Sequence, residues 1–245
     1  MWEQILPGLR IKIFFTIVLG IAYPLAMTGI SQAIFPHQAN GSLIMRDGRV
    51  IGSEIIGQGF SKPQYFHPRA SGAGSGYDAT SSAGPNLGPT SAKLLYGTTK
   101  TDDKKDEVVD FDGLSLRMVH YCLDNDIPYE SSMPLDQFRD EKGDLDDVKL
   151  IKAFGDAKAP LTFRPKIPIP SDAITTSASG LDPEISPANA LLQTARVAKA
   201  RGIPIGEVNQ MVARFTEGPD LGLLGEPRVN VLKLNLALDR QFATR

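Results

Sequence analysis

One cysteine, Cys122, stands in 245 residues. No intrachain disulfide can form, and no cysteine-based metal site is available. Histidine is almost as scarce. His37, His67 and His120 fall in separate segments, none with a carboxylate or cysteine at ligand spacing. Charge of one sign is missing too: the net value is −2, so no global field favours nucleic acid. The chain has no Gly-x-Ser-x-Gly elbow and no Asp-Lys-Thr-Gly phosphorylation sequence. Gly72, Gly74 and Gly76 lack a Gly-Lys-Ser/Thr ending, and Tyr77 stands where a dinucleotide fingerprint needs glycine. They read as turn formers, not a phosphate cradle. Asp110, Asp112, Asp144, Asp146 and Asp147 miss the spacing of a calcium loop. Asp182 and Glu184 flank Pro183 and read as turn and cap chemistry. These absences disfavour an enzyme and point to an interaction subunit.

What is present is a long uncharged run, Ile13 to Phe35, 23 residues near the N-terminus. As a helix it reaches about 34 Å, enough to cross a hydrocarbon core of about 30 Å. A signal peptide is the competing reading, with Ser31, Gln32 and Ala33 as a tolerable cleavage pattern. The run exceeds the usual 7–15-residue signal core, so a retained anchor is favoured. Residues 1–12 then lie on one side of the membrane, 13–35 span it, and 36–245 form the main domain. Arg10 and Lys12 precede the span and Arg46 and Arg49 follow it, which tilts the orientation only slightly toward N-terminus inside. Within the span, Thr16, Gly20, Pro24 and Thr28 recur every four residues, and Gln32 continues the row. Such a row lets another helix approach closely, although glycine and proline are common in membrane spans generally. Pro24 is expected to kink the helix and free a carbonyl near Gly20.

Beyond the span, Asp47 and Gly48 between short apolar runs predict a hairpin with a type I′ turn. A segment dense in aromatics and prolines follows, Phe60 to Pro68, and then a Gly/Ser/Pro-rich loop, Ser71 to Thr90. From Gly97 to Pro160 sixteen acidic residues face nine basic ones, a balance of −7 that leaves +5 elsewhere. The run from Lys100 to Glu107 reads as solvated and the whole block as a charged surface insertion, with short helices at Leu114–Leu123 and Leu145–Phe154. Lys166 to Pro170 reads as extended. Three C-terminal helices are predicted. The first has Ser186 as N-cap, Pro187 at its first position and Gly202 past its end. The second runs from Pro204 to about Thr216, with Ile205, Val208, Met211, Val212 and Phe215 on one face and Gly218 ending it. The third is capped by Asn230, although its alternating leucines also suit a strand. The fold class is α+β: a transmembrane helix followed by a mixed domain with C-terminal helices.

Several blocks together resemble the C-subunit family of the Kdp-type potassium-transporting P-type ATPase. In the span these are Ala22–Leu25 with Thr28 and Gly29. Next come Gln38, Asn40, Gly41 and Ser42, then Gly52–Glu54 with Ile56–Gln58, and Tyr65–His67 with Arg69–Ser71. Ser82–Thr90, including Asn86 and Gly88, precedes Ser177–Pro183, which holds Ser179, Gly180 and Asp182. Thr216–Gly218 and Leu224–Leu232, with Glu226 and Asn230, complete the match. The blocks cover the chain except Gly97–Pro160, a region much longer than the family's usual helical link. The resemblance implies a single-pass subunit of the bacterial inner membrane, N-terminus cytoplasmic and main domain periplasmic. Its implied partners are a potassium-channel-like subunit, a P-type pump subunit and the lipid bilayer. Its implied role is to assist assembly and, as a catalytic chaperone, to raise the pump subunit's ATP affinity. ATP and potassium are handled by the complex, and no cofactor or metal is expected on the chain itself. A membrane-tethered external hydrolase or binding protein is the other function class.

Overall fold

The structure, a computed structural model, describes residues 2–242. Met1 and residues 243–245, the extreme ends of the expected 1–12 and 36–245 segments, lie outside it. The chain divides into two compact units, one up to Ile55 and one from Ile56 on.

The first unit begins with a helix that starts well before the uncharged run. It comprises α1 (Trp2–Ile17), a π-helical turn at Val18–Ala22 and α2 (Tyr23–Ile34). From Glu3 to Ile34 it is long and apolar enough to cross a membrane. Val18 and Ser31 are half-buried; the other side chains described along it are exposed, Phe14 and Leu25 among them at 60% and 67%. A surface this apolar requires a nonaqueous environment or packing partners. The expected kink at Pro24 takes the form of the π turn. Pro24 has no N–H, and its ring crowds the carbonyl of Gly20, four residues back. Widening the preceding turn absorbs both: the Tyr23 N–H bonds the Val18 carbonyl, five residues back.

A short helix, α3 (Pro36–Ala39), leads to the antiparallel hairpin β1 (Leu43–Arg46) and β2 (Arg49–Ser53). Asp47 and Gly48 have φ of 51° and 73°, the doubly positive geometry of a type I′ turn. Ile51 is the extra residue of a bulge, because Ile44 pairs with Gly52 but Met45 with Val50.

The second unit opens with an irregular stretch, residues 56–91, in which Ala70 bridges to Thr176. The acidic block that follows is more than a surface appendage. It includes the hairpin β3 (Thr98–Thr101) and β4 (Glu107–Phe111), reached from α4 (Ala92–Tyr96). The expected solvated run is thus largely a hairpin and its turn, with Asp102 accepting from the Lys104 and Asp106 N–H groups. Next come α5 (Leu114–Asp124), β5 (Tyr129–Ser131) and α6 (Asp147–Phe154); β5 pairs with β6 (Phe163–Pro165). Leu116, Val119, Leu135, Phe138, Leu150, Ile151, Phe154 and Leu161 close over one another as a hydrophobic core. The strand lies just before Lys166, and at the end of Lys166–Pro170 the backbone of Pro170 is extended, at φ −59° and ψ 143°.

A second core gathers Phe66, Ile185, Val197, Val208, Met211, Val229, Leu234 and Leu238. It lies among a three-stranded antiparallel sheet and three helices. The strands run β7 (Glu184–Ile185), β9 (Arg228–Asn230), β8 (Thr216–Glu217) across the sheet. The helices are α7 (Pro187–Arg201), α8 (Ile205–Arg214) and α9 (Val231–Gln241). The caps fall where local chemistry requires. The Ser186 hydroxyl accepts from the Asn189 N–H, Gly202 takes the left-handed C′ position at φ 66°, and Asn230 accepts from the Lys233 N–H. α8 ends at Arg214, before Gly218, because Thr216 and Glu217 are used as a strand. Val208, Met211 and Val212 bury its apolar face, whereas Ile205 stays exposed.

The segment before Arg69 joins this core through side chains. Asn235 on α9 accepts from the Phe66 N–H at 2.8 Å and donates to the Phe66 carbonyl at 2.9 Å, replacing a strand partner. Asn235→Ala should therefore strand two buried backbone groups and cost about 1–3 kcal/mol. Urea titration of unfolding should show a lower midpoint with unchanged slope.

Candidate functional site

Some of the sequence signatures of the second unit meet at one place. The segment Ser177–Asp182 winds against the Gly/Ser-rich loop, and the contacts are mostly backbone. Ser71 Oγ donates to the Gly180 carbonyl at 2.6 Å and accepts from the Tyr77 N–H at 2.9 Å. Ser82 Oγ donates to the Ser179 carbonyl at 2.8 Å, and the Gly57 N–H to the Leu181 carbonyl at 2.8 Å. Tyr77 Oη donates to the Arg69 carbonyl, and burial with Asp182 nearby raises the pKa of the phenol. Glycine is required where these strands of loop touch. A Cβ on Gly180, at φ 73°, would lie 2.5 Å from the Ala83 carbonyl oxygen, and one on Gly84 2.4 Å from that of Ala178. Asp182, expected to serve turn chemistry, does so through Ser179 Oγ at 3.0 Å. It also pairs with Arg69 Nη1 at 2.8 Å.

Beside this interlock lies a cleft of about 370 Å³, lined by Ser71, Gly84, Phe111, Asp112, Arg117 and Thr176 among others. Arg117 from α5 bridges it, paired with Asp112, donating to Thr176 Oγ1 at 2.5 Å, and stacked on Phe111 at 5.1 Å. The cleft holds no nucleophile–base pair. Among the described residues no group of three or more His, Cys, Asp or Glu could hold a metal ion.

The other singled-out residues are scattered. Asn86 is exposed with φ 50°, and Gly88 is exposed. Glu226 is exposed near the apolar tip Leu221, Leu223 and Leu224. Asn230 is a cap. In the first unit, Gln32 and Asn40 exchange reciprocal amide hydrogen bonds at 3.2 Å, and Ser53 Oγ donates to the Gly41 carbonyl at 2.7 Å. The Ser42 carbonyl accepts from the Glu54 N–H, and Gln38 is exposed. Thr16 Oγ1 donates back to the Lys12 carbonyl at 2.8 Å, while Gly20 has open space around it.

Sequence reading missed the polar face of α7. Asn189, Gln193 and Arg196, at i, i+4 and i+7, are all buried. The Arg196 guanidinium donates to the Asn125 side chain, the Pro63 and Tyr65 carbonyls, and Gln193, with no carboxylate paired to it among the described residues. Gln193 accepts from the His67 N–H at 2.7 Å and donates to its carbonyl at 3.1 Å. Asn189 accepts from Tyr121 Oη at 2.8 Å. Burial, reinforced by Arg196, lowers the His67 pKa. The available signal was a helix with good caps and a polar row, Asn189, Gln193 and Arg196, set beside the apolar Ala190 and Val197. His120 behaves oppositely: its hydrogen bond to Asp147 at 2.7 Å raises its pKa and ties α5 to α6.

One N-terminal helix long and apolar enough to cross a membrane, followed by a mixed α+β unit built around a glycine interlock, defines the class of this chain. The family model described as K+-transporting ATPase, c chain matches residues 5–110 and 145–240, leaving 111–144 between the matched parts. Similar over nearly the whole chain is the "Potassium-transporting ATPase KdpC subunit" of Mycobacterium tuberculosis (strain ATCC 25618 / H37Rv). It is 42% identical over 240 residues, 98% of this chain and 100% of that protein. The protein of that name from Caulobacter vibrioides (strain NA1000 / CB15N) is 42% identical over 243 residues, 99% of this chain and 95% of that one. The chain belongs to the C-chain family of the K+-transporting ATPase, an accessory subunit rather than the ATP-hydrolysing one.

Gly180→Ala should cost roughly 1–3 kcal/mol, because a left-handed backbone and two close backbone atoms oppose the methyl group. Gly88→Ala, with nothing within 4 Å, should be neutral. Equal unfolding midpoints for the two variants would refute the interlock. For His120 the folded pKa lies above the unfolded value of about 6.5. The pair's stabilisation is therefore complete below that value and lost as pH rises through the folded pKa. The stability gap between wild type and His120→Asn should shrink as pH is raised across this window. The effect is small, because the pair is partly exposed and screened.

Proposed function

We propose that this chain is the non-catalytic subunit that completes an ATP-driven potassium uptake complex from the far side of the inner membrane. In this reading the N-terminus is cytoplasmic, the helix crosses once, and the main domain is periplasmic. The partners are a channel-like potassium subunit and a P-type pump subunit. The observation that carries the reading is the apolar helix from Glu3 to Ile34, none of it buried within the chain, on a protein of the C-chain family. The row Thr16, Gly20, Pro24 and Thr28 crosses the π turn. In a plain α-helix such a row drifts about 40° per step. The wider π turn advances less per residue and keeps the small side chains nearer one line, which supports helix–helix docking. The exposed leucine tip beside Glu226 supports a second contact, with a partner subunit.

Assistance of assembly follows from such docking. Raising the pump's ATP affinity is part of the same proposal, and it constrains the route. A periplasmic domain cannot touch cytosolic ATP, so the effect must travel through the membrane helices by an element both sites bias. The π turn is the irregular element on this helix. The acidic block is proposed to concentrate cations near the potassium entrance, a modest effect because screening acts over about 8–10 Å at physiological salt. Deleting the block is a poor test, since it removes Asn125 and Tyr121 from the α7 network.

Gly20→Leu with Thr28→Leu should release the chain from its partners when the tagged complex is purified in mild detergent from potassium-limited cells. Undiminished co-purification counts against the row. Asp103→Asn, Asp106→Asn and Glu141→Gln together should weaken apparent potassium affinity at low ionic strength and do nothing at high salt. An unchanged affinity at low salt removes the cation-concentrating role.

A further inference from the structure

The β1–β2 hairpin is anomalous as a water-exposed element. A two-stranded hairpin with no third strand is marginal in water. Its residues alternate across two faces. One face carries Leu43, Met45 and Val50, exposed by 44%, 52% and 55%, with Met45 directly opposite Val50. The other carries Arg46 and Arg49, directly opposite each other, an arrangement that like charges disfavour. Asp47 relieves little of this, at 3.9 Å from Arg46 Nε and itself 94% exposed on its side chain.

The hairpin is also held close to the end of the apolar helix. The apolar run ends at Phe35, so Pro36–Ser42 begins where a hydrocarbon core spanned by that run ends. That turn is rigidly built. Gln32 and Asn40 clasp each other, Asn40 also donates to the Pro36 carbonyl, and Ser53 at the base of β2 donates to the Gly41 carbonyl. The Glu54 carboxylate reaches His37 at 3.3 Å. The last turn of the helix, the turn that follows it and the base of β2 are thus tied together by side chains.

We propose that this hairpin is a lipid-binding element lying in the membrane interface. Leu43, Met45 and Val50 enter the boundary between headgroups and acyl chains, as the apolar face of an interfacial amphipathic helix does, to a depth of about 5–10 Å. Arg46 and Arg49, on the opposite face, bind phospholipid phosphates. The guanidinium fork matches that geometry, and an anion between them turns their repulsion into shared binding. The occupant is the phospholipid headgroup, because the apolar face is continuous with the spanning helix and the charged face complements phosphate. The inference rests on the membrane-spanning reading of that helix.

The test uses the full chain in nanodiscs of phosphatidylethanolamine and phosphatidylglycerol, with Met45→Trp in a Trp2→Phe background. Lipids brominated near the top of the acyl chains should quench the new tryptophan, and its emission should be blue-shifted relative to water. Adding Arg46→Gln and Arg49→Gln should reduce that quenching. A tryptophan that emits as in water and is quenched by iodide overturns the proposal. So does one shielded from both quenchers in the assembled complex, since a protein partner then covers the face. A chain that separates from the discs on size exclusion overturns the spanning helix and the hairpin's role with it. Retention with a water-exposed tryptophan overturns the hairpin alone.

Discussion

The second unit depends on a buried cation, Arg196, held by neutral acceptors. Arg196 sits in the interior of α7 and is satisfied by neutral oxygens from three places: the carbonyls of Pro63 and Tyr65, the side chain of Asn125, and Gln193 on its own helix. A buried guanidinium stripped of these acceptors is expensive, so all of them must be in place together. One side chain thereby fixes the aromatic-rich segment and the end of α5 against the C-terminal helices. Gln193 and Asn235 extend the arrangement by holding the backbone of His67 and Phe66, and Phe66 then fills the core beneath.

This explains how the long acidic block is carried without being loose. Its own core, from Leu116 to Leu161, makes it compact. Tyr121 and Asn125, on the face of α5 and just past its end, make it part of the larger body. The acidic side chains are spent largely on local work: Asp102 and Asp140 close turns, Asp146 caps α6, and Asp110 pairs with Lys93. The balance of −7 is therefore a property of a folded surface.

Sequence disclosed what is decided locally. Asp47–Gly48 specified its turn because two adjacent residues must take positive φ, and Ser186, Gly202 and Asn230 marked helix ends because capping needs one side chain at one position. The apolar span was legible because membrane thickness sets a length. The insertion's core was not legible. Its apolar residues are separated by charges and meet only through long-range packing, so a solvated reading was natural. The glycine interlock was half legible: Gly180 and Gly84 stood out in signature blocks, but their reason, a carbonyl within 2.6 Å of any Cβ, exists only after residues about a hundred apart are brought together. The α7 polar row required knowing that this face is buried.

The π turn at Val18–Ala22 has a consequence for the helix as a whole. A turn closed five residues back holds more residues than its neighbours do, so the stretch up to Ile17 and the stretch from Tyr23 are out of phase as one continuous α-helix. The helix is two segments with separate azimuths, joined by an angular offset. A one-residue deletion in the turn would keep the hydrophobic length almost intact yet rotate one segment by about 100° against the other. The length of the apolar stretch and the direction in which each half faces are thus set by different residues.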